Sequence, residues 1–513
     1  MRLGIDFGTT RTAVAAVNDG RYPVVSFEVD GTFSECLPGF ASAGPGGLRY
    51  GTEAALAGNL TLRSVKARIT GAMPDEILKE ASSGAGVISA LGITTEYLSY
   101  VRRMIVDHSN LSLKHDEPIE AMVAVPAHAS TAQRYLTMEA FRSAGYVVLG
   151  LVNEPTAGAV EFARHALSVL SARSPKRYVI VYDLGGGTFD TAAVSLKDRR
   201  FELIGAEGVS GLGGNQFDEI IAHHVCESLG LSMAQLEDGE KTRLLENCRL
   251  AKEALGVNSR KILVEGLTEW GQAEVLVDAH LVYDDAAPLI EETVLSMERL
   301  FDGLRQHGID PDNAREMGAI YLVGGSVQFP AVQRRLRAQY GRKIQLAPQP
   351  HASTAIGLAI AADPEAGIFV REAPTRHFGV WREGEGGREK VFDPIIEKRH
   401  GRSTQEPIFI QRTYRPTHAV GLLRFVECTA FDAQRGPGGE VTPWEQILFP
   451  YDPALQGSAD LEAHVGRRND HLGSEVIVET YEYQDTGVIQ VQIENRTSGY
   501  QRKYVLGAGQ TGA

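Results

Sequence analysis

The sequence predicts an α/β fold that contains an internal duplication and is followed by an all-β region. The first copy is MRLGIDFGTTRTAVAAV at the amino terminus, and the second is YVIVYDLGGGTFDTAAVSL at residues 178–196. Each copy has an apolar run, an aspartate, a glycine-containing turn and a second apolar run, which indicates a strand, a turn and a strand. Beyond Asp363 the helical periodicity gives way to strand patterns, which indicates the β-rich region.

The two hairpin sequences are spaced like equivalent parts of two repeated halves. Asp6 and Asp183 lie 177 positions apart, which is about the size of one ordinary domain. One D-x-G-x-T motif is a weak signal, but two copies in matching strand contexts indicate one hairpin in each half of a duplicated chain. The sequence has no G-x-x-x-x-G-K-[ST] motif, and no strand is followed by a dinucleotide-type G-x-G-x-x-G.

The glycine turns predict a site for a metal-bound polyphosphate. Glycine tolerates positive φ and has no Cβ, so Gly185, Gly186 and Gly187 can bring backbone N–H groups against an anion. Asp183, at the end of its strand, can supply a carboxylate to a hydrated cation. The alternative is a plain β-hairpin with a flexible tip.

The composition is that of a soluble globular protein. The chain has 513 residues, enough for about two to four domains, with 43% apolar and 23% charged residues. A net charge of −14 argues against a nucleic-acid partner. The four cysteines lie far apart without a C-x-x-C motif, which suggests a reducing compartment. We find no leader pattern and no apolar run of about 20 residues, so we expect a cytoplasmic protein with no membrane partner.

Two charged residues are candidates for chemistry at the phosphate. Lys66 lies in a short basic segment, where the alternative is a solvated surface lysine. Glu154 follows a short strand and precedes Pro155, which fixes the start of a helix running to about residue 170. A carboxylate at such a corner can orient an attacking water. The alternative for Glu154 is charge complementarity with the helix N-terminus, worth ~0.3–1 kcal/mol.

Three further elements follow the second hairpin in the sequence. Gly213 and Gly214 open a helix, and residues 241–255 form an amphipathic helix with Lys252 on its polar face. The turn of Gly324, Gly325 and Ser326 follows a strand, where a glycine turn suits the close approach of a base or ribose. Solvation of Lys252 and simple packing of the turn remain the alternatives.

The carboxyl-terminal part is predicted to be a β-sandwich. Residues 364–379 lack periodicity and indicate a linker, and the charged, glycine-rich run 382–390 indicates a loop. Strand patterns then dominate over roughly 130 residues, a plausible size for a single domain. The predicted strands are residues 391–396, 408–414, 422–428, 476–483 and 487–493.

Motifs along nearly the whole chain resemble one known family. They are GIDFGTT, VAVPA followed by Gln133 and Arg134, VNEPTAGA, YDLGGGTFD, LGGNQFD, LAK at 250–252, VGGS and TYEYQDTGVIQVQIENRTSG. Together they resemble the DnaK-type 70-kDa heat-shock protein family of chaperones, in the actin and sugar-kinase ATPase superfamily. The resemblance implies a duplicated, two-lobed, actin-like (ribonuclease H-like) ATPase domain at residues 1–363 and a linker at 364–377. It also implies a β-sandwich peptide-binding domain at 378–513, here without the family's helical lid.

The resemblance also implies roles for individual residues. Asp6 and Asp183 would hold hydrated Mg²⁺, and Asp190 a monovalent cation such as K⁺. Lys66 would contact the γ-phosphate of ATP and the attacking water, which Glu154 would help to position. Pro126 and Arg134 would belong to an interdomain switch. The remaining nucleotide-binding residues would be Gly8, Thr9, Thr10, Gly185, Gly186, Gly187, Thr188, Gly213, Gly214, Lys252, Gly324, Gly325 and Ser326, with Thr188 also serving catalysis.

The chain departs from the family pattern mainly around the nucleoside. Arg249 replaces the usual glutamate, Gln328 the adenine-stacking arginine and His351 the ribose-side aspartate. These changes predict weaker discrimination between adenine and guanine. After the switch proline, His128 and Ala129 replace a tyrosine and a phenylalanine.

The leading hypothesis is an ATP-hydrolysing chaperone in which ATP and ADP control peptide binding. Its partners would be unfolded or extended peptides or a dedicated client, with a J-domain cochaperone and a nucleotide-exchange factor. One alternative is a nucleotide-gated scaffold or sensor with little turnover. A small-molecule kinase of the same superfamily is disfavoured, because the β domain matches the chaperones rather than a sugar pocket.

Overall fold

The computed structural model describes most of the chain, and its contacts divide it into two compact units. The described residues are 1–29, 31–44, 47–56, 62–79, 87–165, 174–372, 374–384, 389–398, 408–484 and 487–506. The first unit comprises Met1–Thr70, Ile77–Ala127 and Ala140–Arg371, and the second comprises Gly71–Glu76, His128–Glu139 and Glu372–Ala513. The domain and linker boundaries given above remain predictions.

The first unit contains strands and helices in alternation. Its strands are β1 (Arg2–Phe7), β2 (Arg11–Ala16), β3 (Phe27–Val29), β4 (Thr32–Ser34), β5 (Cys36–Pro38), β6 (Ala41–Gly44), β7 (Gly47–Tyr50), β8 (Glu120–Val125), β9 (Val147–Asn153), β10 (Tyr178–Leu184), β11 (Thr188–Ser195), β12 (Arg200–Ser210), β13 (Lys261–Glu265), β14 (Glu274–Asp278), β15 (Met317–Val323), β16 (Ile344–Leu346) and β17 (Phe369–Arg371).

The α-helices among the described residues belong to this unit, apart from the first part of one of them. They are α1 (Gly51–Leu56), α2 (Val65–Ile69), α3 (Ala90–Asp107), α4 (Thr131–Ser143), α5 (Glu154–His165), α6 (Gly214–Leu229), α7 (Asp238–Glu253), α8 (Ala279–Gln306), α9 (Pro330–Tyr340) and α10 (Ser353–Ala362). Residues of α4 up to Glu139 fall in the second unit. The predicted continuation of α5 beyond His165 lies outside the described residues.

The two main sheets of this unit share one strand order, which confirms the duplication. The first sheet has the order β5-β2-β1-β8-β9, and the second contains β12-β11-β10-β15-β16 with β17 added at its edge. In each sheet an antiparallel hairpin, β1–β2 or β10–β11, is followed by two more strands. The first of these, β8 or β15, pairs in parallel with the first strand of the hairpin, and the second, β9 or β16, pairs in parallel with β8 or β15. The hairpins predicted from the sequence therefore occupy equivalent positions.

Small residues let α5 and α10 pack closely against each other and against β1. A Cβ on Gly357 would overlap the carbonyl oxygen of Ala157, and a Cβ on Gly4 would overlap the backbone of Ala355 and Ala359. Leu358 and Ala359 are fully buried. The short, alanine-rich helix α10 is therefore closely packed.

The second unit is built around two four-stranded antiparallel sheets. Their orders are β19-β18-β21-β22 and β20-β23-β24-β25. The strands are β18 (His377–Gly384), β19 (Glu389–Ile396), β20 (Ile408–Tyr414), β21 (Val420–Phe431), β22 (Pro437–Pro450), β23 (Ile477–Tyr483), β24 (Ile489–Asn495) and β25 (Tyr500–Val505). Phe378 and Phe425 of one sheet share a buried core with Tyr481 and Val491 of the other, which confirms the sandwich.

Some of the β-rich region differs from expectation. In the run predicted as a loop at 382–390, residues 382–384 and 389–390 are strand, because β18 continues to Gly384 and β19 begins at Glu389. Residues 385–388 lie outside the described residues. β22 and β25 were not among the predicted strands. Within the predicted linker, β17 pairs in parallel with β12. Among the described residues, no helix is long and apolar enough to cross a membrane.

Candidate functional site

The tips of the two equivalent hairpins meet face to face. In each tip the first glycine N–H donates to a carbonyl three residues later, Gly8 to Arg11 and Gly185 to Thr188, both at 3.0 Å. A Cβ on Gly186 would overlap the side chain of Thr10, and a Cβ on Gly187 would lie 2.8 Å from Cγ2 of Thr9. Glycine at both positions is therefore required for this approach.

The start of α6 holds the second hairpin tip. The Gly214 N–H donates to the Gly185 carbonyl at 3.0 Å, and the Asn215 N–H donates to the Gly186 carbonyl at 2.7 Å. The Gln216 side chain caps the helix by accepting from the Gly213 N–H at 2.8 Å. These bonds fix the backbone of the glycine turn and rule out a freely flexible tip.

A buried ion pair joins the two candidate residues for phosphate chemistry. Lys66 Nζ donates to Glu154 Oε1 at 2.6 Å, and the two residues are only 7% and 9% exposed. Ser64 caps α2 by accepting from the Ala67 N–H at 2.9 Å, and its hydroxyl donates to the Thr9 carbonyl at the first hairpin tip. The cap thus positions Lys66, and the surface-lysine alternative is wrong.

Three aspartates beside this pair are only partly exposed and have too little positive charge around them. Burial, followed by repulsion from Glu154, raises the pKa of Asp6 to about 7 and that of Asp190 to about 7. Burial and the neighbouring carboxylates raise the pKa of Asp183 well above its usual range. Burial acts to lower the pKa of Lys66, but Glu154 and Asp6 outweigh it and raise that pKa. The site carries excess negative charge that a cation would neutralise.

These residues fit a hydrated magnesium ion. Among the described residues, no three acidic, histidine or cysteine side chains lie close enough to hold an ion directly. Mg²⁺ usually keeps several waters and binds through one or two carboxylates together with substrate phosphates. A loose set of buried aspartates with raised pKa values meets that requirement, whereas it would not form a closed metal cage.

A cavity of about 470 Å³ extends outward from the hairpin tips. This volume lies within the range of small-molecule sites. Three predicted residues do not line the cavity, namely Gly187, Asp190 and Gly213. Asp190 lies opposite Asp183 on the paired strand. The predicted residues that line the cavity are Asp6, Gly8, Thr9, Thr10, Lys66, Glu154, Asp183, Gly185, Gly186, Thr188, Gly214, Lys252, Gly324, Gly325 and Ser326.

Lys252 is held in place by a residue that the sequence analysis did not single out. Its ammonium group lies 2.7 Å from Oδ1 of Asp218 and donates to the Gly214 carbonyl at 2.7 Å. Burial raises the pKa of Asp218 to about 6, against the opposing effect of Lys252. Asp218 ends the LGGNQFD motif, so its place within that motif was a usable signal.

The outer end of the cavity is lined by charged residues that pair with one another. Arg11 NH2 donates to both carboxylate oxygens of Glu253, at 2.7 and 2.6 Å, and Arg249 NH1 donates to the same oxygens at 2.9 Å. His351 Nε2 lies 2.8 Å from Oε2 of Glu35. Arg11, Glu35 and Glu253 were not predicted as site residues.

Comparison with known proteins identifies the family. The model of the family described as "Hsp70 protein" matches residues 75–373, more than half of the chain. The chain belongs to the Hsp70 protein family. This confirms the resemblance inferred from the motifs.

Named relatives of this Hsp70 chain are bacterial chaperones. A "Chaperone protein HscA homolog" of Ralstonia nicotianae is 31% identical over 385 residues, covering 72% of this chain and 58% of the relative. The homolog of Cupriavidus metallidurans is 28% identical over 383 residues with the same coverages. That of Azotobacter vinelandii is 34% identical over 282 residues, covering 55% of this chain and 42% of the relative. The chain thus spans less than two thirds of the length of these relatives.

The residues predicted for an interdomain switch fall in different units of this Hsp70 chain. Pro126 lies in the first unit and Arg134 in the second. Arg134 is only 2% exposed, and a Cβ on Gly487 would lie 2.7 Å from its Cδ. Next to it, the Thr131 N–H donates to Glu427 at 3.2 Å, and burial raises the pKa of Glu427. Their role as a switch remains a prediction.

Proposed function

We propose that this Hsp70 chain is a magnesium-dependent ATPase whose nucleotide state controls peptide binding by its β-sandwich. The observation that carries the proposal is the buried Lys66–Glu154 pair beside three aspartates with raised pKa values, where two glycine hairpins meet. Phosphoryl transfer depends mostly on positioning and charge stabilisation, for which this set of groups is adequate.

Each group has a definite task in hydrolysis. The glycine N–H groups and the hydroxyls of Thr9, Thr10 and Thr188 bind phosphate oxygens. Lys66 stabilises charge on the γ-phosphate, and Glu154 accepts a hydrogen bond from the attacking water and orients it. The water oxygen bonds to the γ-phosphorus while the bond to the bridging oxygen breaks, leaving phosphate and ADP. Asp6 and Asp183 would hold Mg²⁺ through waters, and the cation would supply positive charge that neutralises the phosphates.

The β-sandwich supplies the second half of the proposed function. β19 and β20 are edge strands of its two four-stranded sheets, and at a sheet edge an extended peptide can add main-chain hydrogen bonds. Relatives of the chain carry the name of chaperones, which supports unfolded or extended peptide, or one dedicated client, as the ligand. A J-domain cochaperone and a nucleotide-exchange factor complete the proposed cycle, in the cytoplasm.

A second candidate is a nucleotide-gated scaffold with little turnover. It is favoured by the outer end of the cavity, where Arg249 and His351 are engaged in ion pairs. Incubation with γ-labelled ATP separates the candidates. We expect label to appear as inorganic phosphate in a magnesium-dependent reaction that speeds up or slows down when an extended peptide is added. Label that stays on ATP would support the scaffold, and label on an added small acceptor would indicate a kinase.

A further inference from the structure

Phe33 lines the cavity with most of its surface in solvent. It is 73% exposed, although it belongs to the lining. Phe329, the other phenylalanine in the described lining, is only 3% exposed and stacks on Phe217 with the ring centroids 4.6 Å apart. The ring of Phe329 is therefore used in the core, whereas the ring of Phe33 can receive a flat group of a ligand.

The β3–β4 hairpin supports the position of this ring. Phe33 pairs with Glu28 on the opposite strand, and Phe27, next to Glu28, is fully buried. The Glu28 N–H donates to the carbonyl of His108, directly after α3, at 2.7 Å. The strand opposite Phe33 is thus attached to the first unit by a buried side chain and by a main-chain hydrogen bond.

Contacts next to Phe33 place it at the end of the cavity where a nucleoside is expected. Glu35, two residues later, has its Oε2 atom 2.8 Å from Nε2 of His351. His351 directly follows the residue whose carbonyl accepts from the Gly324 N–H at 2.8 Å. The turn after Gly324 carries Gln328, which lines the cavity together with Phe33. This is the turn whose composition suits the close approach of a base or ribose.

An exposed aromatic ring in a cavity of nucleotide size is suited to stacking on a base. Stacking covers apolar ring surface that otherwise faces water, and every base offers a π face. Loss of one such stack costs about tenfold in affinity. Gln328 lacks the delocalised cation with which an arginine stacks, so Phe33 is the stronger stacking group of the two.

We propose that Phe33 stacks on the base of the bound nucleotide and is a specificity-determining residue of this site. The proposal rests on the function proposed above, to which it adds the residue that holds the base. Because all bases share a π face, Phe33 favours nucleotides over bare polyphosphate and strengthens the binding of ATP and GTP alike. The phosphates bind at the hairpin tips, without help from Phe33.

The test is calorimetric titration of the full chain with the magnesium complexes of ATP, GTP and inorganic tripolyphosphate, which has no base. We expect Phe33→Ala to weaken the binding of both nucleotides about tenfold and to leave tripolyphosphate binding unchanged. The matched control is Phe369→Ala, which removes a ring that is 67% exposed but does not line the cavity.

A second variant gives a spectroscopic signature of stacking. Phe33→Trp should keep at least the nucleotide affinity of the wild type, because an indole also stacks on bases. ATP and GTP, but not tripolyphosphate, should quench the fluorescence of the introduced indole, measured against the wild type. A residue that only supports the hairpin would give no such quenching.

The outcomes separate the stacking role from the proposed function. Wild-type nucleotide affinity in Phe33→Ala overturns the proposal, and so does an equal loss of tripolyphosphate affinity, since the substitution would then disturb the whole cavity. Absence of quenching by ATP in Phe33→Trp overturns it as well. If the wild type binds neither ATP nor GTP, the proposed function itself fails.

Discussion

The charged side chains at the two ends of the cavity differ in how fully they are matched by partners of opposite charge. At the inner end, Asp6, Asp183 and Glu154 share the ammonium group of Lys66, and the pKa values of both aspartates are raised. At the outer end, Arg11 and Arg249 are matched by Glu253 and by Glu246.

This difference indicates which end of the cavity a charged ligand would stabilise. Buried carboxylates without sufficient countercharge cost free energy, and that cost is removed when a cation and a phosphate bind. Half-exposed ion pairs already have partners and contribute little each. On the function proposed above, a bound metal nucleotide would therefore stabilise the inner end, whereas the charged groups of the outer end already have partners.

The largest expected effect is at the inner end. Lys66→Ala should slow ATP hydrolysis at least about 100-fold while nucleotide still binds, because the variant loses the positive charge that the proposed function assigns to Lys66 at the γ-phosphate. Phosphate release measures turnover, and calorimetry measures binding. Lys261→Ala removes a lysine of a surface pair with Asp278 and should retain full turnover. Wild-type turnover in Lys66→Ala would contradict the role given to the inner end.

The next effect tests the contact between the hairpin tips. Gly186→Ala should lower the free energy of unfolding by about 2 kcal/mol and weaken ATP binding, because the new methyl group collides with the side chain of Thr10. Gly303→Ala, in α8 with open space around it, should instead gain about 0.5–1 kcal/mol. Equal stability of the two variants in urea unfolding would argue against the tight approach.

The contrast between the two ends of the cavity also explains which of their residues could be recognised in the sequence. The hairpins were recognisable because aspartate, glycine and threonine lie within six residues of one another, and the duplication followed from their repetition. The outer end was not predictable, because Arg11 meets Glu253 and Glu35 meets His351 only after both halves have folded.

Strands β18 and β22 were not predicted, because their residues alone give only a weak strand pattern. β18 continues through charged residues to Gly384, and proline and glycine interrupt the apolar alternation of β22. The charged end of β18 pairs with β19, and β22 pairs with β21; in both strands this pairing outweighs weak local preference. The apolar repeat of α8, by contrast, was a usable signal for a helix.

A smaller effect concerns Asp218, the carboxylate that pairs with Lys252 between the two ends of the cavity. The pKa of Asp218 is about 6 in the folded protein and near 3.8 when unfolded, so the folded state binds more protons between these values. Its contribution to stability is therefore largest below about pH 4 and is lost as pH rises through 6. Relative to Asp218→Asn, the wild type should gain about 1 kcal/mol between pH 7.5 and pH 5 in urea unfolding. A pH-independent difference would refute the raised pKa.

The smallest effect is expected for recognition of the nucleobase at Gln328. Gln328 lines the cavity and cannot form the cation–π contact that an arginine can. Gln328→Arg should therefore raise ATP affinity about threefold and increase the preference for ATP over GTP, while Gln328→Met serves as an uncharged control. Strong preference for ATP in the wild type, with no gain in Gln328→Arg, would show that the altered residues already form a selective base site.

The most direct test of the contrast between the two ends is the dependence of ATP affinity on magnesium. Calorimetric titration of the wild type with ATP should give a Kd at least about tenfold lower with Mg²⁺ than with a chelator, because only the cation offsets the buried carboxylates. In Asp183→Asn this dependence should shrink markedly. Equal affinities with and without Mg²⁺ in the wild type would contradict the account of the inner end as a metal-nucleotide site.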